Sequence, residues 1–491
     1  MRRSLPLFVT LLLAAAGCSA QAAAQFELGL RWLHSFEYDR AEKEFANAAA
    51  TDAGCAIAHW GMAMANYHPL WAPPTAAELA KGKSAVAKAR SAGAKSKREQ
   101  DYVAAIGAFY DQSEALDHKT RALAYNSAMA QLHERYPADR EAAVFYALSQ
   151  VAAGTLDKDS TYAREKSAAA LLDAVLKVEP DHPGVAHYLI HSFDYPPLAQ
   201  LALPAARRYA SIAPASAHAQ HMPSHIFTRM GLWSDAIASN LDAHNSAKSF
   251  AVRNHMSGAW DEQLHAMDYL AYAYLQRAQD KRAAGVLDEL NQIQRVDPPT
   301  FKVAYAVTAI PARYALERRQ WNEAAKLTLA PGPLRDSLLQ RFPWAKAHIH
   351  YARAIGAARS GDTASARQEV DELSKIKQAL TEVKGDYDWA KQVEIQRQVA
   401  SAWLAYVEGQ KDQAVTLMRA AADLDDATDK HPVTPGALLP VREQLGELLL
   451  ELNEPAAALK EFETSLMTTP NRFNGLYGAA RAARLASDSR K

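Results

Sequence analysis

The chain reads as all-α, a solenoid of stacked antiparallel helix pairs. Three observations predict this. Alanine, the strongest helix former and a close packer between helices, is very frequent, and runs rich in Val, Ile and Thr are missing. Small residues flank a bulky apolar one at helical spacing again and again, as in Ala41, Phe45 and Ala48 or Ala458, Phe462 and Ser465. Two histidine pairs, His187/His191 and His221/His225, stand 34 residues apart, a period at which helical hairpins stack.

The elements follow in order. Arg2 and Arg3 precede an apolar stretch from Leu5 to Ala16, which reads as an export signal too short for a stable anchor. Gly17-Cys18 follows small residues, as at a lipoprotein cleavage site, so the signal is expected over 1–18 with Cys18 lipidated. Cleavage after Ala22-Ala23-Ala24 is the alternative. Cys55 is then a lone thiol, expected to be buried and inert. Helical repeats are expected over 22–180, with Gly29 at the small position of the helix before that of Phe45 and Pro180 closing the hairpin of Ala168, Leu172 and Val175. A central block over 181–300 contains Ala202, Ala206 and Tyr209, closed by Pro214, and then Ala236, Asn240 and Ala243. A third block over 301–480 contains Ala414, Met418 and Ala421, and Ala458, Phe462 and Ser465. Pro432, Pro435 and Gly436 predict a loop over 429–436, because Pro and Gly cannot continue a helix. The tail, 481–491, is expected to fray.

Composition narrows the function. The 491 residues are 49% hydrophobic and 22% charged, which is globular. Lys plus Arg equals Asp plus Glu at 55 each, so no basic excess points to nucleic acid. No later stretch is apolar enough to span a bilayer, so any membrane contact is expected through the N-terminal lipid alone. No Gly-rich phosphate loop and no Ser-His-Asp arrangement is visible. No catalytic residue is assigned.

The small-large-small hairpins, the closing prolines and the 34-residue period resemble the tetratricopeptide repeat (TPR) superfamily across essentially the whole mature chain. The stretches from His187 to Pro197, from His218 to Phe227, from Cys55 to Gly61 and from Arg472 to Gly478 resemble a branch of exported bacterial members. The resemblance implies an α-solenoid that holds a protein or peptide in its concave groove, and it implies no reaction. Positions two, five and nine of the first helix line that groove in the superfamily. With Pro180 and Pro214 closing their units, His187 and His221 fall at position five, His191 and His225 at nine, and His218 at two. In the next unit His265, Asp268 and Tyr272 fall at two, five and nine. These eight residues are the candidate binding groove.

A metal reading competes. Histidines four apart share a helix face and can ligate one ion, and neighbouring helices lie about 8–10 Å apart, within imidazole reach. His187, His191, His221 and His225 are the candidate ligands, with His218, His265 and Asp268 as supporting or alternative ones, and imidazole suits zinc, copper or nickel. No Glu follows the first His of either pair, so no base is placed for metal-assisted hydrolysis. Pro223 interrupts the helix that would carry His221 and His225. The alternative is a helix starting near Met222 with Pro223 in its first turn, which leaves His221 at or before the cap. The expected function is therefore an exported, periplasmic, outer-membrane-anchored scaffold for a protein or peptide, with a metal-binding protein or metal-dependent enzyme as the alternative.

Overall fold

Phe45 shows why the helices stack. Its ring is fully buried and lies between two glycines on neighbouring helices. A Cβ at Gly29 would come within 2.7 Å of the ring, and one at Gly61 within 2.5 Å. Ala20–His34, Tyr38–Thr51 and Ala56–Ala65 thus interlock as small-large-small layers. The same device recurs near the C-terminus. There Phe462 sits against Gly446 and Gly478, with added Cβ atoms meeting it at 2.8 and 2.3 Å. Close packing of this kind leaves no room for a methyl group.

The computed structural model describes residues 17–70, 73–383 and 387–488. Among them nearly all regular structure is helical, the exception being a two-residue parallel pairing of Ala259–Trp260 with Val296–Asp297. The fold is all-α and built of tandem antiparallel helix pairs. The described residues form two compact units: those up to 194 with 201–219, and 195–200 with those from 220 onward. The signal segment, Arg2 to Ala16, lies outside the described residues. No helix among the described residues is long and apolar enough to cross a membrane.

Two expectations need correction. Cys55 is buried as expected but is not a lone thiol, because its sulfur is bonded to that of Cys18. Cys18 is also the residue assigned to lipidation, and one sulfur carries either the bridge or a thioether-linked lipid. The reason for the bridge is local. Ser19 donates its N–H to Asp52 Oδ2 at 2.7 Å, and Lys95 Nζ donates to the Gly17 carbonyl at 2.6 Å, so the segment before the first helix is docked beside Cys55. The second correction concerns the tail, where the Phe473–Asp488 helix continues past 481. Ala482 and Ala486 are buried there and hold it.

Candidate metal centres

In the first unit the helix Pro183–Phe193 carries two of the histidines. Pro183 occupies its first position, where the missing N–H costs no helical bond. The cap is His182, whose Nδ1 accepts from Val185 N at 3.4 Å. Asp181, one residue earlier, is exposed and pairs with Arg208 at 3.0 Å. One helical turn separates His187 from His191, and their Nε2 atoms lie 3.0 Å apart. The short helix Ala217–His221 adds His218, with its Nε2 at 3.1 Å from that of His187.

A backbone hydrogen bond orients the ring of His187. Its Nδ1–H donates to the backbone carbonyl of His34 at 2.7 Å. A carbonyl only accepts, so Nδ1 holds a proton, and in the neutral ring Nε2 carries the lone pair. That single lone pair faces two further imidazole nitrogens. A tetrahedral ion with bonds of about 2.0–2.1 Å has ligand atoms roughly 3.3 Å apart, close to the spacings found. Phe36 closes one side of the cluster, with ring centroids 4.4, 5.5 and 5.8 Å from His187, His191 and His218. Its φ of 54° lies in the left-handed region, a conformation that costs a non-glycine residue about 1 kcal/mol or more.

In the second unit Pro223 ends one helix and begins the next, Pro223–Arg229. His221 closes the first and His225 sits in the first turn of the second, yet their Nε2 atoms lie 3.1 Å apart. Helix Asp261–Gln276 contributes His265, whose ring centroid is 4.1 Å from that of His221. One ligand atom from each of these three histidines lies within 4.8 Å of the others, as in the first cluster. Here Asn240 plays the part of the His34 carbonyl. Its Nδ2 donates to Ala236 O at 2.8 Å, which aims Oδ1 at His221 Nδ1, 2.7 Å away. His221 thereby carries its proton on Nδ1, and in the neutral ring its Nε2 is the lone-pair nitrogen. The Tyr269 hydroxyl lies 3.4 Å from His225 Nε2.

The structure thus divides the four histidines proposed as one ligand set into two triads, His187/His191/His218 and His221/His225/His265. His218 and His265, expected in the groove and as alternative ligands, complete them. Asp268 and Tyr272 stand elsewhere. Asp268 accepts from buried Arg313 at 2.7 Å. Tyr272 Oη accepts from Arg472 at 2.8 Å, and Arg472 is itself buried between Glu317 and Glu443. These groove candidates are core residues, with His187 at 0%, His221 at 1%, Asp268 at 2% and Tyr272 at 3% exposure.

A third constellation escaped the sequence reading. Glu141 is buried between His34, at 3.0 Å, and His182, at 3.3 Å. Because His182 Nδ1 accepts from Val185, its Nε2 carries the proton toward Glu141. Burial alone would raise the Glu141 pKa, but the two imidazoles outweigh it and hold the carboxyl below its usual range. Burial lowers the His34 pKa, consistent with a neutral ring that donates to Glu141 and accepts from Tyr188 Oη at 3.0 Å. The network fixes the His34 backbone that in turn holds His187. Its members are more than 100 residues apart in part, His34 to Glu141 by 107, and no local spacing marks them. Asn240 did leave a signal. It occupies the slot where the repeat wants a bulky apolar residue, and a polar residue there needs a partner.

No family model matches the chain and no curated protein is similar to it. Solved structures are similar only distantly. Yeast Tom70 is 14% identical with a TM-score of 0.40, over 96% of each chain. A human IFIT1 dimer with PPP-AAAA is 11% identical at 0.40, over 93% of this chain and 95% of that one. A tetratricopeptide repeat protein from Parabacteroides merdae is 12% identical at 0.33, over 72% and 98%. Likeness at this level carries no information about ligand or activity.

Proposed function

We propose that this chain is an exported helical-repeat protein that binds transition-metal ions, one in each tri-histidine cluster. One observation carries the reading. In both clusters a central histidine has its Nδ1 proton held by a fixed acceptor while its Nε2 converges on other imidazole nitrogens at 3.0–3.1 Å. Neutral imidazoles oriented through an outer hydrogen bond are what zinc, copper or nickel sites use. Three nitrogens leave a fourth position for water or another donor. The disulfide supports export, since such bonds persist in oxidising compartments. Elemental analysis of untagged protein equilibrated with micromolar zinc tests the reading. Two equivalents are expected, one in His187→Ala, one in His221→Ala and none in the double variant. Protein that takes up no metal overturns it.

The scaffold reading is favoured by a different observation. Phe473, Leu476 and Tyr477 lie on one face of the last helix and are 48–55% exposed. Apolar side chains grouped at a surface mark protein contacts. Under this reading a photo-crosslinker at Leu476 traps a discrete partner in the cell envelope, and Phe473→Glu abolishes the adduct. Labelling that is diffuse or unchanged by Phe473→Glu removes this reading.

A further inference from the structure

The two clusters are not equivalent, and the difference lies in Tyr269. Its ring packs among all three histidines of the second cluster, with centroids 4.7, 5.2 and 5.5 Å from His221, His225 and His265. Its hydroxyl oxygen lies 3.4 Å from His225 Nε2, and the His221–His225 nitrogen spacing is 3.1 Å. Both match a tetrahedral edge of roughly 3.3 Å for bonds of about 2.0–2.1 Å. In the first cluster the rings packed on His187 are Phe36, which has no donor atom, Tyr209, which stacks flat on the imidazole at 4.9 Å and 15°, and Tyr188 at 5.4 Å, whose hydroxyl is engaged with His34 Nδ1 at 3.0 Å.

Charge points the same way. Three imidazoles are neutral donors, and His221, His225, His265 and Tyr269 are all no more than 6% exposed. A cation buried among neutral ligands keeps its full charge in a low-dielectric surrounding, which is costly. The nearby Asp268 is already committed to Arg313. A phenolate supplies the missing negative charge.

We infer that Tyr269 is the fourth donor of the second cluster, so that this site takes an oxidised cation such as Cu(II) or Fe(III) in a three-imidazole, one-phenolate shell. The inference rests on the metal-binding reading above. On binding, the Tyr269 O–H bond breaks, its proton leaves to solvent and an oxygen–metal bond forms, with no change of oxidation state. The hydrogen bond that Tyr269 now donates to the Val433 carbonyl at 3.1 Å is exchanged for that bond.

The test is reconstitution with Cu(II), read by copper content and by visible absorption together. Loaded wild type is expected to show a phenolate-to-copper charge-transfer band with phenolate modes enhanced in resonance Raman. Tyr269→Phe is expected to bind as many coppers but to lose the band and those modes, while Tyr209→Phe keeps both. Copper bound without a band in wild type, or a band that survives Tyr269→Phe, overturns the assignment and leaves the histidine sites standing. No copper uptake overturns both.

Discussion

The Nδ1 of His221 lies 2.7 Å from the Oδ1 of Asn240. That contact exchanges packing for orientation. The repeat would place a large apolar side chain at 240, and the fold instead holds a fully buried amide there. Outer-sphere partners of metal-bound histidine are worth about 10–100-fold in affinity. Asn240→Leu is therefore expected to weaken zinc binding at the second cluster by about that factor while the first cluster is unchanged. Competition against a chelator of known affinity reads each site separately. Equal weakening at both sites would show that the variant acts through global stability.

Phe36 holds a left-handed backbone conformation, with φ at 54°. Phe36→Ala and Phe36→Gly both remove the ring, but glycine adopts that conformation without strain. The glycine variant should be the more stable of the two by about 1 kcal/mol, measured by urea denaturation. Alanine equal to or better than glycine would mean that the conformation is not held in solution.

Arg472 is fully buried and paired with Glu317 at 2.8 Å and Glu443 at 3.0 Å. Removing one side of a buried ionic cluster leaves charge uncompensated and costs about 3–5 kcal/mol. Arg472→Met should unfold at clearly lower urea concentration. Adding Glu317→Gln and Glu443→Gln should recover a large part of the loss. A single variant as stable as the parent would show that the cluster is dispensable.

Acid should weaken the fold through neutral histidines. Burial, first among the causes, lowers His118 to about 4 and His348 and His431 to about 3. In the unfolded chain a histidine titrates at about 6.5. Between those values the unfolded state binds more protons, so stability rises with pH. The contribution is complete above about pH 6.5 and is lost as pH falls toward 3–4. The urea midpoint of metal-free protein is expected to drop between about pH 8 and about pH 5. A midpoint that rises on acidification contradicts the neutral assignment.

The sulfur of Cys18 gives a binary outcome. Intact mass of protein from the native envelope is expected to be two hydrogens lighter than the reduced form, with neither cysteine alkylated before reduction. Acyl mass on Cys18 and an alkylatable Cys55 after unfolding would restore the lipid anchor in place of the bridge.

Sequence made the hairpins legible because each needs its own small-large-small layer, and Gly29 and Phe45 occupy it as expected, while the part of Gly61 in the same layer appears only in the packing. The His187/His191 pair was legible because one helical turn joins the two residues. The grouping was not. Reading positions two, five and nine as an open groove placed Asp268 and Tyr272 beside the histidines, whereas both pair with buried arginines. The Glu141 network and Phe36 were invisible for a different reason. Their partners come from distant helices, and only packing brings them together. Cys18 was given to a lipid, which left Cys55 without a candidate partner.

The helix Asp261–Gln276 has one further consequence. Within two turns it offers His265 to the second cluster, Asp268 to Arg313 and Tyr272 to Arg472. The ion pair and the hydrogen bond act as bolts on a beam, setting its rotation and height before any ion arrives. His265 is thus presented on a rigid mount, and capturing a cation there spends little on ordering the protein. A change that loosens either arginine would reach the metal at a distance, as a ligand swung out of place.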